Sequence, residues 1–121
     1  MAASTPRPTE ITLHQQSKVL EIAFDDGRRF ELPCEYLRVY SPSAEVRGHG
    51  PGQEVLQAGK KDVGIREVEP VGVYAVKLAF TDGHDTGIYS WEYLYDLGVK
   101  REPNWKAYLA RLAQAGKSRE P

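Results

Sequence analysis

The sequence predicts an α+β domain: a small antiparallel β-sheet built from hairpins, a short helix after the first hairpin, and two C-terminal helices. Two observations predict it. Apolar and polar residues alternate in two separate stretches, each broken by an Asp-Gly pair. Beyond residue 90 the apolar spacing changes to three and four, the spacing of a helix face.

Glu10 to His14 and Lys18 to Phe24 alternate, with a slip at Val19-Leu20, and read as strands with one face on a core. Asp26-Gly27 makes the hairpin because glycine accepts positive φ, and Arg28 to Leu32 returns. Pro33 suits the first turn of a helix over Cys34 to Tyr40, which Ser41-Pro42 ends. Ser41 to Asp62 is the least regular stretch, with a turn of helix expected over Gln53 to Leu56. Loops of this length in a compact domain are often functional. Ile65 to Pro70 and Val73 to Phe80 read as strands joined by Val71-Gly72. Thr81 to Asp85 turns the chain into a strand at Gly87 to Tyr89. Ser90 is an N-cap for a helix over Trp91 to Leu97, with Gly98 as its C′ residue. A last helix from Pro103 to Ala115 aligns Trp105, Tyr108, Leu109 and Leu112, and Gly116 stops it.

Length and charge bound the function. The chain of 121 residues fits one domain, with residues 1–8 and 117–121 expected as disordered tails. Sixteen Lys and Arg against seventeen Asp and Glu argue against a protein that holds nucleic acid mainly by phosphate neutralisation. No apolar run approaches a membrane span, and no secretory h-region is seen. The single cysteine, Cys34, cannot form an internal disulfide. That fits a reducing compartment, so cytoplasm is expected.

The runs Leu37 to Gly52, Glu69-Pro70-Val71-Gly72-x-Tyr74 and Asp82-Gly83-His84-Asp85-x-Gly87-Ile88-Tyr89-Ser90-Trp91 carry a resemblance. Over about residues 9–98 the sequence resembles the bacterial branch of the gamma-butyrobetaine hydroxylase-like N-terminal domain family, long described as a domain of unknown function. In the hydroxylases such a domain precedes a jelly-roll dioxygenase and resembles a Cys3His zinc module. Its cysteine positions fall here on Ser41, Ser43 and Val46, and its histidine on His84. One ligand of four remains, so no structural zinc is expected. The Ser41 and Ser43 hydroxyls are expected to hold the loop by bonding to backbone amides. Related domains are also fused to Mrp-type iron–sulfur carrier ATPases, which implies a role near iron or iron–sulfur metabolism.

No nucleophile with a base, and no poised acid/base pair, can be read from spacing. Gly48-His49-Gly50-Pro51-Gly52 lacks the Lys-Ser/Thr of a phosphate loop, and Pro51 lacks an amide donor. The expected function is therefore a non-enzymatic binding or adaptor domain. Its partner would be another protein, its cofactor none, and its surface Arg38, Tyr40, Ser41, Ser43, Arg47, His49, Tyr89 and Trp91. The alternative is a site for zinc or iron using His84 with His49, Asp82 and Asp85, should the two loops meet. A third reading is a ligand pocket beneath the long loop, lined by Tyr40, Tyr89 and Trp91.

Overall fold

The computed structural model describes residues 6–48 and 54–121. Among them are two three-stranded antiparallel sheets and four helices. The first sheet has β1 (Pro8–His14), β2 (Val19–Phe24) and β3 (Arg29–Pro33) in that order, and α1 (Cys34–Val39) follows. A short α2 (Ala44–Arg47) stands in the stretch the sequence left irregular. The second sheet orders β4 (Ile65–Val71), β5 (Ala75–Phe80) and β6 (Ile88–Ser90). Then come α3 (Trp91–Val99) and α4 (Arg101–Gln114).

Each sheet places its middle strand deepest. Leu20, Ile22 and Phe24 of β2 and Val76, Leu78 and Phe80 of β5 meet in one core with Leu32, Tyr36, Leu37, Tyr89, Leu94 and Leu97. A satellite cluster of Val39, Tyr108 and Leu112 fixes α4 against Leu56 and Ala58.

Five sequence expectations change. Gly98 is not a C′ residue: α3 runs through it and its end falls at Lys100, which also opens α4. A Cβ at Gly98 would stand 2.5–2.7 Å from the Phe30 ring, so the glycine serves the close approach of α3 to β3. The last helix starts at Arg101, with Pro103 in its first turn where a missing amide does no harm, and Leu109 is left 39% exposed. Val73 and Tyr74 belong to the β4–β5 turn, because Gly72 at φ 57° turns the chain before β5 begins. Residues 54–56 form no helix, and Gln53 lies outside the described residues.

The expected tails also change. Pro8 opens β1, and Arg7 and Asp25 exchange hydrogen bonds, so the ordered chain starts before residue 9. Residues 117–121 are docked. The Gly59 amide donates to the Ser118 carbonyl and the Lys61 amide to the Arg119 carbonyl, both at 3.0 Å. Arg119 grips Glu35 with two hydrogen bonds of 2.7 and 2.8 Å. A polar composition signals fraying only when no buried partner awaits it, and here the buried Glu35 carboxylate does.

Candidate functional site

The resemblance directs attention to the junction of the 41–47 segment with the β5–β6 hairpin. Pro42 and the preceding helix end set Ser41 so that its hydroxyl meets His84 Nε2 at 2.8 Å. The same hydroxyl accepts from the Ser43 amide at 3.2 Å. Ser43 caps α2 by accepting from the Glu45 amide, and its hydroxyl is 2.7 Å from that of Thr86. Both serines thus take backbone amides, as the sequence suggested. Glu45 closes the arrangement: its carboxylate is 3.0 Å from His84 Nδ1 and accepts from Thr86. A neutral imidazole satisfies all of this, with Nδ1–H donating to Glu45 and Nε2 accepting from Ser41. Gly87 is required beside it, since a Cβ there would stand 2.5 Å from Ser41 Oγ.

His84 is 4% exposed at its side chain. Burial, and then the Arg38 charge, push its pKa below the ordinary 6.5, against the pull of Glu45. Arg38 is itself buried, and its Nε donates to Asp82 Oδ2 at 2.8 Å. Lys60 reaches the same oxygen at 2.6 Å, and the His84 amide donates to Asp82 Oδ1. Burial alone would raise the Asp82 carboxyl. Lys60, the His84 amide and Arg38 outweigh it and hold the group at about 2. The resulting stability is fully present above 3.8 and is lost as pH falls towards 2.

The expected zinc positions do not fit the ion. Ser41 and His84 are in direct hydrogen-bond contact, and Val46 is a buried apolar residue. The expected cluster is only partly assembled. His84 and Asp82 are neighbours, Asp85 is exposed, and His49 lies outside the described residues. Among the described residues, no group of three or more His, Cys, Asp and Glu is arranged to hold a metal.

The expected binding surface also changes in character. Arg38, Ser41, Ser43 and Tyr89 are buried and act by positioning others. The Tyr89 hydroxyl, for example, donates to the Leu37 carbonyl at 2.6 Å. Tyr40 and Arg47 keep solvent access and line a cavity of about 310 Å³ with Tyr93, Tyr108 and Arg111. Trp91 lies elsewhere, against the β4–β5 turn, so Tyr40, Tyr89 and Trp91 share no pocket. Cys34 is buried and burial raises its thiol pKa, which removes it as a nucleophile. Glu45 and Thr86 were missed in the sequence. Glu45 sits two residues after Ser43, one short of a capping-box spacing, and nothing local marked either residue.

These features define an α+β domain whose irregular segment is tied to a hairpin by side-chain hydrogen bonds. Its class is a family already known from sequence. The model of the gamma-butyrobetaine hydroxylase-like N-terminal family matches residues 11–95, and the chain belongs to that family. Two NMR solution structures are similar over 98% of the chain. One is 51% identical with TM-score 0.85 over 93% of its length, the other 56% with 0.84 over 89%. A crystal structure from Acidithiobacillus ferrooxidans, described as a protein with unknown function of the DUF971 family, is 42% identical. It covers 76% of this chain and 92% of its own, with TM-score 0.65. A biotin synthase from Bacillus cytotoxicus is 28% identical over 82 residues, 64% of this chain. The match spans only 24% of that synthase. No described helix is long and apolar enough to cross a membrane.

Proposed function

We propose that the chain is a non-enzymatic binding module that recognises another protein in the cytoplasm. The exposed apolar turn between β4 and β5 carries this reading. Val73 is 79% and Tyr74 60% exposed, next to the half-buried Trp91. Side chains of this size left in water together are characteristic of contact surfaces. The turn is held rigidly: the Trp91 indole N–H donates to the Val73 carbonyl at 2.8 Å, and its amide to the Tyr74 carbonyl at 3.0 Å. A surface fixed before binding loses less entropy on association. A concavity of about 660 Å³ lies beside it, with Arg7 and Asp25 on its wall. The match to 24% of a biotin synthase supports an accessory module that can stand beside other domains. The link to iron or iron–sulfur metabolism rests on the resemblance alone.

The test is a paired one. A Val73→Ser/Tyr74→Ser variant should keep its thermal midpoint and lose at least tenfold in affinity for whatever protein the native chain retains. A folded variant with undiminished affinity removes the turn from the interface.

The second reading is a zinc or iron site at His84 with His49, Asp82 or Asp85. The adjacency of the His84 imidazole and the Glu45 carboxylate favours it. Against it stand the two filled ring nitrogens of His84 and the Asp82 carboxylate shared by Arg38 and Lys60.

A further inference from the structure

Glu35 is a carboxylate in the core side of α1, with its side chain only 7% exposed. A cation covers it and balances its charge. The cation is Arg119, which lies two residues from the C-terminal end of the sequence and binds both carboxylate oxygens. The guanidinium also lies over the Trp105 ring, 5.3 Å from its centroid. The segment carrying it is otherwise lightly held. Ser118 and Arg119 each accept one main-chain hydrogen bond, and Lys61 pairs with Glu120 at 3.0 Å. Lys117, Ser118, Glu120 and Pro121 are all exposed. Gly59, beside Glu120 and Pro121, holds φ 69°, a conformation that side chains rarely adopt. Gly116, at φ 66°, marks where the segment leaves α4.

The contact reads a pattern. Two successive carbonyls meet the Gly59 and Lys61 amides across a bend at Arg119, the arginine enters between Glu35 and Trp105, and an acidic residue follows to meet Lys61. Beside it opens a concavity of about 770 Å³, lined by Tyr36, Val99, Arg101 and Trp105 as well as Glu35 and Arg119. Withdrawal of Arg119 would leave the Glu35 carboxylate unpaired on its wall.

We infer that this groove is a docking site for a short segment of a partner protein carrying an arginine followed by an acidic residue. Residues 118–121 fill it in cis and compete with that partner. The cis segment has the advantage of effective concentration but is anchored by one side chain that stays 39% exposed, so a partner segment that also fills the adjoining concavity displaces it. The charge complementarity commits the site to this ligand: Glu35 disfavours an acidic side chain at the arginine position, and Lys61 disfavours a basic one after it. This site is separate from the Val73–Tyr74 turn and does not depend on it.

The experiment titrates the acetylated peptide Lys-Ser-Arg-Glu-Pro into the full chain carrying Arg119→Ala, followed by amide-proton NMR. The expected result is saturable shifts at the Gly59 and Lys61 amides and the Trp105 indole. The native chain should respond at least tenfold more weakly because its own segment competes. Adding Glu35→Gln, or replacing the peptide's arginine by alanine, should abolish the response. No saturable response, or one indifferent to Glu35→Gln, overturns the proposal. So does a concentration-dependent dimer of the native chain that Arg119→Ala abolishes, since the groove then belongs to a second copy. Should Arg119→Ala fail to fold, hydrogen exchange on the native chain decides. The Gly59 and Lys61 amides must exchange at least a hundredfold faster than those of β5. Exchange only through global unfolding means that the segment never vacates the groove.

Discussion

His84 carries the local account, because two elements meet on its ring. Its neutral form accepts from Ser41 at Nε2 and donates to Glu45 from Nδ1, and burial together with Arg38 disfavours the charged form against the pull of Glu45. The unfolded chain therefore takes up this proton first as pH falls. Stability should drop from about pH 6.5 towards the lower folded value and then level, so far as this group is concerned. Urea midpoints between pH 8 and pH 5 check it: the native chain should lose stability over that interval and a His84→Ala variant should lose less. His84→Ala should also cost roughly 2 kcal/mol at neutral pH, through the lost packing and the unpaired Ser41 hydroxyl. Equal slopes for the two proteins would mean that His84 is not buried as a neutral ring. Gly87→Ala tests the same junction from the other side. Its methyl would stand within 2.5 Å of Ser41 Oγ, so it should destabilise by about 1–3 kcal/mol, read by chemical denaturation. The sequence made Ser41, Ser43 and His84 visible through the resemblance. It could not show that Glu45 would reach back to the ring, since that depends on where α2 ends up.

At the scale of elements, local chemistry was legible and long-range approach was not. Ser90 was readable as a cap, and its hydroxyl does accept from the Tyr93 amide at 3.1 Å. Both Asp-Gly turns were readable too, with Gly27 and Gly83 at φ 89° and 92°. Gly98 misled because a glycine near a helix end looks the same whether it reverses the chain or admits a neighbour. The two roles predict opposite signs. In an unobstructed helix interior Gly98→Ala would stabilise by roughly 1 kcal/mol. Against Phe30 at 2.5–2.7 Å it should destabilise by about 1–3 kcal/mol. Phe30→Leu should cost less in the Gly98→Ala background than in the native one, which a double-mutant cycle measured by thermal unfolding will show. Additive costs would remove the α3–β3 contact from the account. The docked 118–121 segment escaped prediction for the same reason: its partner, Glu35, lies 84 residues away in sequence.

For the whole molecule, tyrosines join the elements. Tyr36 donates to the Leu97 carbonyl, Tyr89 to Leu37, Tyr40 to Asn104 and Tyr108 to Gln57, each ring packing apolar surface while its hydroxyl satisfies a distant carbonyl. Burial pushes Tyr36 and Tyr108 up to about 12, so these bolts stay protonated through the neutral range. A buried tyrosine hydroxyl generally finds a partner, but which carbonyl each reaches is a property of the assembled fold. The same assembly brings the 41–47 segment onto the β5–β6 hairpin through hydrogen bonds of Ser41, Ser43, Glu45, His84 and Thr86, and we propose that these take the place of a metal. Elemental analysis of zinc and iron per chain, on protein purified without a histidine tag, tests that claim directly. Well under one-tenth of an equivalent of either metal is predicted, with the folded state unchanged by a chelator. Near-stoichiometric zinc or iron that a chelator removes with loss of structure would contradict the hydrogen-bonded junction and return His84 to the role of a ligand.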